Sequence, residues 1–152
     1  MPPMFLDSHA HLDSSEFDAD RDAVIERARA AGLRYLLLIG GANGPDDMGS
    51  ALSIAESYDW IYAAAGIHPH EASKAQDAHF DHLRLLAHQP KFLAVGEIGL
   101  DYYYNHSPQE IQKQIFIRQL ELAREVKLPI IIHCRDAWLD LREIIRTHWT
   151  QH

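Results

Sequence analysis

A regular alternation of short apolar runs with amphipathic segments constrains the fold of this chain more than any other feature. Residues 4–7 read as a first strand. Residues 18–31 read as a helix, with Val24, Ile25, Ala28 and Ala31 on one side and Gly32 as its stop. Residues 33–39 are apolar except for Arg34, the pattern of a strand buried on both faces. A Gly- and Pro-containing loop fills 40–45. Helix 46–57, strand 60–65, helix 77–88 (Phe80, Leu83 and Ala87 in register) and strand 92–95 follow. Ser107 is expected to cap, and Pro108 to open, a long helix whose inward stripe includes Ile111, Ile115, Leu122 and Val126. Strand 130–133 and helix 136–148, with Ala137, Leu141, Ile144 and Ile145 inward, complete the series. Five β-α units in a row predict an α/β protein with parallel strands. Both an open doubly wound sheet and part of a (β/α)8 barrel satisfy that pattern. A complete barrel takes about 250 residues, and this chain has 152, read as a single incomplete barrel domain over 1–152.

Four of the apolar runs end in residues that bear chemistry. The first ends in His9 and His11, one residue apart. In a strand, residues i and i+2 point to the same face, so both imidazoles can reach one metal ion. Asp7 has the same parity and can orient a ligand from behind. Gly66-Ile67-His68-Pro69-His70 follows the third run, Gly96-Glu97-Ile98-Gly99-Leu100-Asp101 follows the fourth, and His133 ends the fifth. In parallel α/β proteins the C-terminal strand ends share one face, and that face carries the chemistry.

Composition narrows the partners. The formal charge of −8 argues against broad adhesion to nucleic acid through a basic surface. It leaves a polyanionic substrate open, because bound divalent ions reverse the local sign inside a pocket. Eleven histidines matter more than net charge. No stretch of about 18 apolar residues exists, so no membrane span is expected. A single cysteine, Cys134, excludes an intrachain disulfide and, with no signal-like N-terminus, fits a cytoplasmic location. Cys134 is expected to be buried and inert.

Asp7-Ser-His-Ala-His-Leu-Asp13, Gly66-Ile-His-Pro-His70, Gly96-Glu-Ile-Gly-Leu-Asp-Tyr102 and Pro129-Ile-Ile-Ile-His-Cys-Arg135 together resemble the successive signatures of TatD-type metal-dependent deoxyribonucleases, which are amidohydrolase-like (β/α)8 barrels. The resemblance spans nearly the whole chain. It implies that His9 and His11 bind a first metal, that Glu97 bridges two metals as the catalytic carboxylate, and that His133 binds the second. It implies substrate contacts from His68, Asp101 and Arg135, a DNA or other phosphodiester substrate, and two divalent ions drawn from Mg, Mn or Zn, with occupancy here expected to be partial. A His-rich shell argues against Mg alone. The family adds a His from the next strand and an Asp from the last, and neither has a counterpart here: His148 and His152 lie on or beyond a helix, as do Asp136 and Asp140.

Each residue has a structural alternative. Glu97 can salt-bridge an arginine, His133 can be a hydrogen-bonded core histidine, Asp101 can cap a loop, and Arg135 can pair with a carboxylate. Tyr102, Tyr103 and Tyr104 can stack on a base or simply pack. Three functions therefore stand side by side: a phosphodiester hydrolase impaired by the missing late strands, another amidohydrolase-like hydrolase with Glu97 where relatives carry a modified lysine, and a catalytically dead fragment that binds metal. Five strands also leave two open edges. A marginal monomer, non-native self-association or need of a complementing C-terminal fragment is expected.

Overall fold

A computed structural model describes residues 4–41 and 43–149. Residues 1–3, 42 and 150–152 lie outside the described residues, and with them the placement of His152 and one position of the 40–45 loop. Five parallel strands stand in space in their sequence order: β1 (Phe5–Ala10), β2 (Leu33–Gly40), β3 (Ile61–Ala65), β4 (Phe92–Asp101) and β5 (Ile130–Arg135). The sheet curls into half of a barrel with alternating helices. These are α1 (Arg21–Ala30), α2 (Ser50–Ala55), α3 (Asp77–Ala87), α4 (Gln109–Val126) and α5 (Trp138–His148). Among the described residues no helix is long and apolar enough to cross a membrane.

Strand parity divides the apolar residues between two faces. Leu36, Leu38, Ile61, Ala63, Ala65, Val95 and Ile98 meet the helices in the main core. Ile39, Ala64 and Ala94, with Leu37 and Ile131 beside them, form a second apolar layer on the other face. Apolar side chains on both faces are what parallel strands under crossover helices require. The two edge strands are less covered. Phe5 and Leu6 on β1 are 54% and 65% exposed, and Ile132 on β5 is 40% exposed.

Several boundaries differ from the sequence expectation for physical reasons. β1 runs on to Ala10, so His9 lies inside the strand rather than after it. β4 is ten residues long and carries Glu97 within the ladder, because Ile98, Gly99, Leu100 and Asp101 pair with Ile132, His133, Cys134 and Arg135. The expected helix 46–57 is broken into a 3-10 turn, Pro45–Asp47, and the shorter α2, with Gly49 between as N-cap. Ser107 does not cap α4, whose N-cap is Pro108. Its hydroxyl instead accepts the Ser73 N–H at 3.0 Å and donates to the His70 carbonyl at 2.8 Å. That bond ties α4's entrance to a 3-10 helix, Pro69–Lys74, between β3 and α3.

Candidate metal centre

Glu97 lies among imidazoles brought from three other strands or strand ends. Its Oε2 is 3.3 Å from His9 Nε2, and His9 Nε2 is 3.2 Å from His11 Nε2. Its Oε1 is 2.9 Å from His133 Nδ1. The two carboxylate oxygens therefore address different histidines. A tetrahedral ion with bonds of about 2.1 Å places its ligand atoms ~3.4 Å apart. The His9–His11–Glu97 spacing fits such an ion, and the three ligand atoms lie within 4.8 Å of one another.

Local structure explains each position. The His9 N–H donates to Asp7 Oδ1 at 3.0 Å, so Asp7 shapes the backbone of the motif instead of holding an imidazole. His11 Nδ1 lies 3.3 Å from the Ile39 carbonyl. Only an N–H can face that oxygen, which leaves Nε2 with its lone pair toward Glu97. Arg21 on α1 donates to the carbonyls of Leu12 and Ser14 at 2.6 and 3.2 Å and fixes the turn after His11. Asp13 is buried and accepts from the Ser50 hydroxyl at 3.0 Å.

Gly96 and Gly99 let β5 approach Glu97. A Cβ on Gly96 would lie 2.6 Å from the Ile131 carbonyl oxygen, and one on Gly99 would lie 2.0 Å from that of His133. Any side chain there would push His133 away from the carboxylate.

His68 belongs to the same cluster but is set up as a donor. Its Nδ1 accepts the His70 N–H at 3.2 Å, so the neutral ring carries its proton on Nε2, 3.1 Å from His133 Nδ1. Burial first, and the neighbouring His133 charge second, lower its pKa to about 4. His68 is thus neutral at pH 7 and presents an N–H to the centre. Burial alone would raise the Glu97 pKa. The bond from His133 and the charges of His68, His133 and His9 outweigh it and hold Glu97 below the usual carboxylate range. For His133 burial works downward, and Glu97 and Asp101 more than reverse it.

Asp101 is not at the mouth, where it was expected to meet substrate. It is 0% exposed. Its Oδ2 lies 2.9 Å from both His70 Nε2 and His133 Nε2. Arg135 stands at the rim, 3.8 Å from Asp101 Oδ2, with its guanidinium 4.9 Å from the Tyr104 ring centre. Tyr103 and Tyr104 are exposed, whereas the Tyr102 hydroxyl donates to Asp140 at 2.8 Å. Cys134 is half-buried, and burial raises its thiol pKa, so it stays protonated. A cleft of about 510 Å³ opens beside the centre, lined by His11, Glu97 and His68 together with Phe17, Asn43 and Lys74.

Two residues that the sequence reading passed over hold the site from behind. Gln119 accepts the Ile67 N–H at 2.6 Å and donates to the Ile67 carbonyl at 3.0 Å. Gln112 does the same for Asp101, at 2.8 and 3.0 Å. Both are buried on α4, in line with Ile115 and Leu122. The signal was two polar residues seven apart on an otherwise apolar stripe.

Known proteins are similar to the chain over most of its length. The family model described as TatD related DNase matches residues 6–152. An uncharacterized metal-dependent hydrolase, YabD of Bacillus subtilis, is 41% identical over 143 residues, covering 94% of this chain and 55% of its own. The 3'-5' ssDNA/RNA exonuclease TatD of Salmonella typhimurium is 41% identical over 132 residues, covering 87% of this chain and 50% of its own. The crystal structure of YJJV, a TatD homolog from Escherichia coli K12, superposes with a TM-score of 0.84 at 32% identity, over 95% of this chain and 56% of that one. The chain spans about half the length of these relatives. It belongs to the TatD-related DNase family.

Proposed function

We propose that this chain carries a divalent-metal centre for hydrolysing phosphodiester bonds in single-stranded DNA or RNA. The observation that carries the proposal is the split of Glu97, with one oxygen toward His9 and His11 and the other toward His133. A carboxylate placed in this way suits a bridge between two ions. Divalent ions held here would supply positive charge to phosphoryl oxygens and activate a water. In this reading His9 and His11 would hold one ion, His133 would hold the other, and Glu97 would serve both. His68 donates its Nε2–H to a phosphoryl oxygen, and Arg135 meets the substrate at the rim. The substrate class comes from relatives named as 3'-5' ssDNA/RNA exonucleases. Glu97, in place of a modified lysine, favours this reading over an amide- or lactone-cleaving amidohydrolase.

The test is a time course on end-labelled single-stranded DNA with Mn2+ or Mg2+, against chelator and Glu97→Gln controls. Cation-dependent cleavage that Glu97→Gln abolishes supports the proposal. Cleavage indifferent to both controls, or an esterase or lactonase activity exceeding it, contradicts it. For the 152-residue chain tested alone we propose a rate about 10²–10⁴-fold below that of a complete relative, because the water-positioning Asp implied by the resemblance has no counterpart in it. Calorimetric cation binding without any cleavage would favour the reading of a metal-binding fragment.

A further inference from the structure

The turn after β4 displays three aromatic rings to solvent beside the metal centre. Tyr103 and Tyr104 are 65% and 51% exposed, and His106 is exposed with them. Their neighbour Tyr102 turns away to Asp140. Aromatic surface left in water is unfavourable unless something covers it. The turn is anchored from below. Asp101 Oδ1 accepts the Tyr104 N–H at 2.9 Å, and the Gln112 amide clamps the Asp101 N–H and carbonyl. Tyr104 is also braced from the sides. The His106 ring lies parallel to it at 5.6 Å, and the His70 and Tyr103 rings meet it edge to face at 5.5 and 4.8 Å. Tyr103 is the outermost of the group, with Tyr104 as its one aromatic neighbour among the described residues.

These rings are continuous with the centre. The His70 ring lies 6.0 Å from that of His133 and 5.5 Å from that of Tyr104, so one imidazole separates the aromatic turn from the residues around Glu97. Arg135 joins the two, 3.8 Å from Asp101 Oδ2 and 4.9 Å from the Tyr104 ring centre, with its side chain 46% exposed. The net charge of −8 gives phosphates little general attraction. One guanidinium among exposed rings suits a strand held by stacking instead, with a single phosphate contact. We propose that Tyr103, braced by Tyr104, is a stacking platform for an unpaired base of the strand whose phosphate lies at the centre, with Arg135 on an adjacent phosphate. This rests on the phosphodiester reading and goes beyond it, because it assigns the choice of a single strand to one ring. A duplex base is already paired and stacked and cannot lie on Tyr103, whereas any unpaired base offers a π-face, so the platform is indifferent to sequence.

The experiment is fluorescence anisotropy with three labelled probes of equal length: an oligothymidylate, an abasic strand with the same backbone, and a blunt duplex. It is run in chelator, so that nothing is cleaved, on wild type, Tyr103→Ala and Tyr103→Phe. Tyr103→Ala is expected to weaken oligothymidylate binding about 5–150-fold, the range that one stacked base supplies, and to leave the abasic strand unaffected. Tyr103→Phe keeps the ring and is expected to bind like wild type. Position 103 is exposed, so both variants should melt as wild type does, and circular dichroism checks it. Unchanged affinity in Tyr103→Ala, an equal loss for the abasic strand, or a wild type that binds duplex as tightly as single strand overturns the proposal. So does a wild type that binds no single strand at all. Loss of self-association in Tyr103→Ala without loss of oligothymidylate binding would assign the patch to a second copy of the chain and overturns it too. If the expected binding pattern holds while no cation supports cleavage, the hydrolytic reading fails and the platform stands. If cleavage occurs and Tyr103→Ala keeps the wild-type KM and affinity, the platform fails and the hydrolytic reading stands.

Discussion

Replacing Gln119 by leucine removes the clamp that fixes the chain just before His68. Gln119 is 0% exposed, and its amide satisfies both peptide groups of Ile67, at 2.6 and 3.0 Å. Leucine would leave that N–H and that carbonyl in the core without partners. Each orphaned group costs about 1–3 kcal/mol, about 2–6 kcal/mol for the pair. The leucine side chain offsets about 2 kcal/mol of this through burial. The net loss is about 0–4 kcal/mol, at its upper end a large part of the ~5–15 kcal/mol that holds a typical domain. Urea unfolding followed by circular dichroism measures it, and the midpoint should fall at unchanged slope. Gln112→Leu should do at least as much, since it also strips the Ser107 carbonyl of its 2.8 Å partner. An unchanged midpoint in both variants would refute the claim that these amides hold the site's backbone.

Gly99→Ala should cost about 1–3 kcal/mol in unfolding experiments and weaken Zn2+ binding, because the new methyl would lie 2.0 Å from the His133 carbonyl oxygen; wild-type stability and affinity would show that β5 can retreat freely. Stability should also fall at high pH through Tyr102. Burial and the bond to Asp140 push its pKa from 10.0 to about 12, so the folded state holds the proton more tightly than the unfolded one. The contribution is complete below about pH 10 and is lost as pH rises toward 12, at most about 3 kcal/mol. Tyr102→Phe should flatten that window, and an unaltered pH profile would count against the assignment. The exposed apolar side chains of Leu6 on β1 and of Trp138 and Leu139 on α5, 65%, 69% and 76% exposed, should drive concentration-dependent self-association, visible by sedimentation. Leu6→Lys with Trp138→Glu should shift the population toward monomer, and a wild type already monomeric at high concentration would contradict this.

The strands were legible in the sequence because parallel strands under helices are apolar on both faces, and runs such as 33–39 carry that signature without tertiary information. The conjunction of His9 and His11 was legible for an equally local reason, strand parity. What failed to show depends on distant partners. The sequence predicts β4 only as far as Val95, because Gly96, Glu97 and Gly99 look like a loop. They continue the strand only because β5 packs against the bare glycines. Asp101 reads as a surface residue until His70 and His133, 31 and 32 positions away, are seen to donate to it. Gln112 and Gln119 satisfy backbone groups on other elements, and side-chain type alone does not announce that.

A hydrolytic role for this centre requires Glu97 to join two cation positions. Anomalous diffraction from crystals soaked in Mn2+ or Zn2+ tests this most directly. The expected map holds one peak bonded to His9 Nε2, His11 Nε2 and Glu97 Oε2, and a second bonded to Glu97 Oε1 and His133 Nδ1. Peaks that leave the Glu97 carboxylate untouched, or histidines turned away from it in the soaked crystal, would contradict the account.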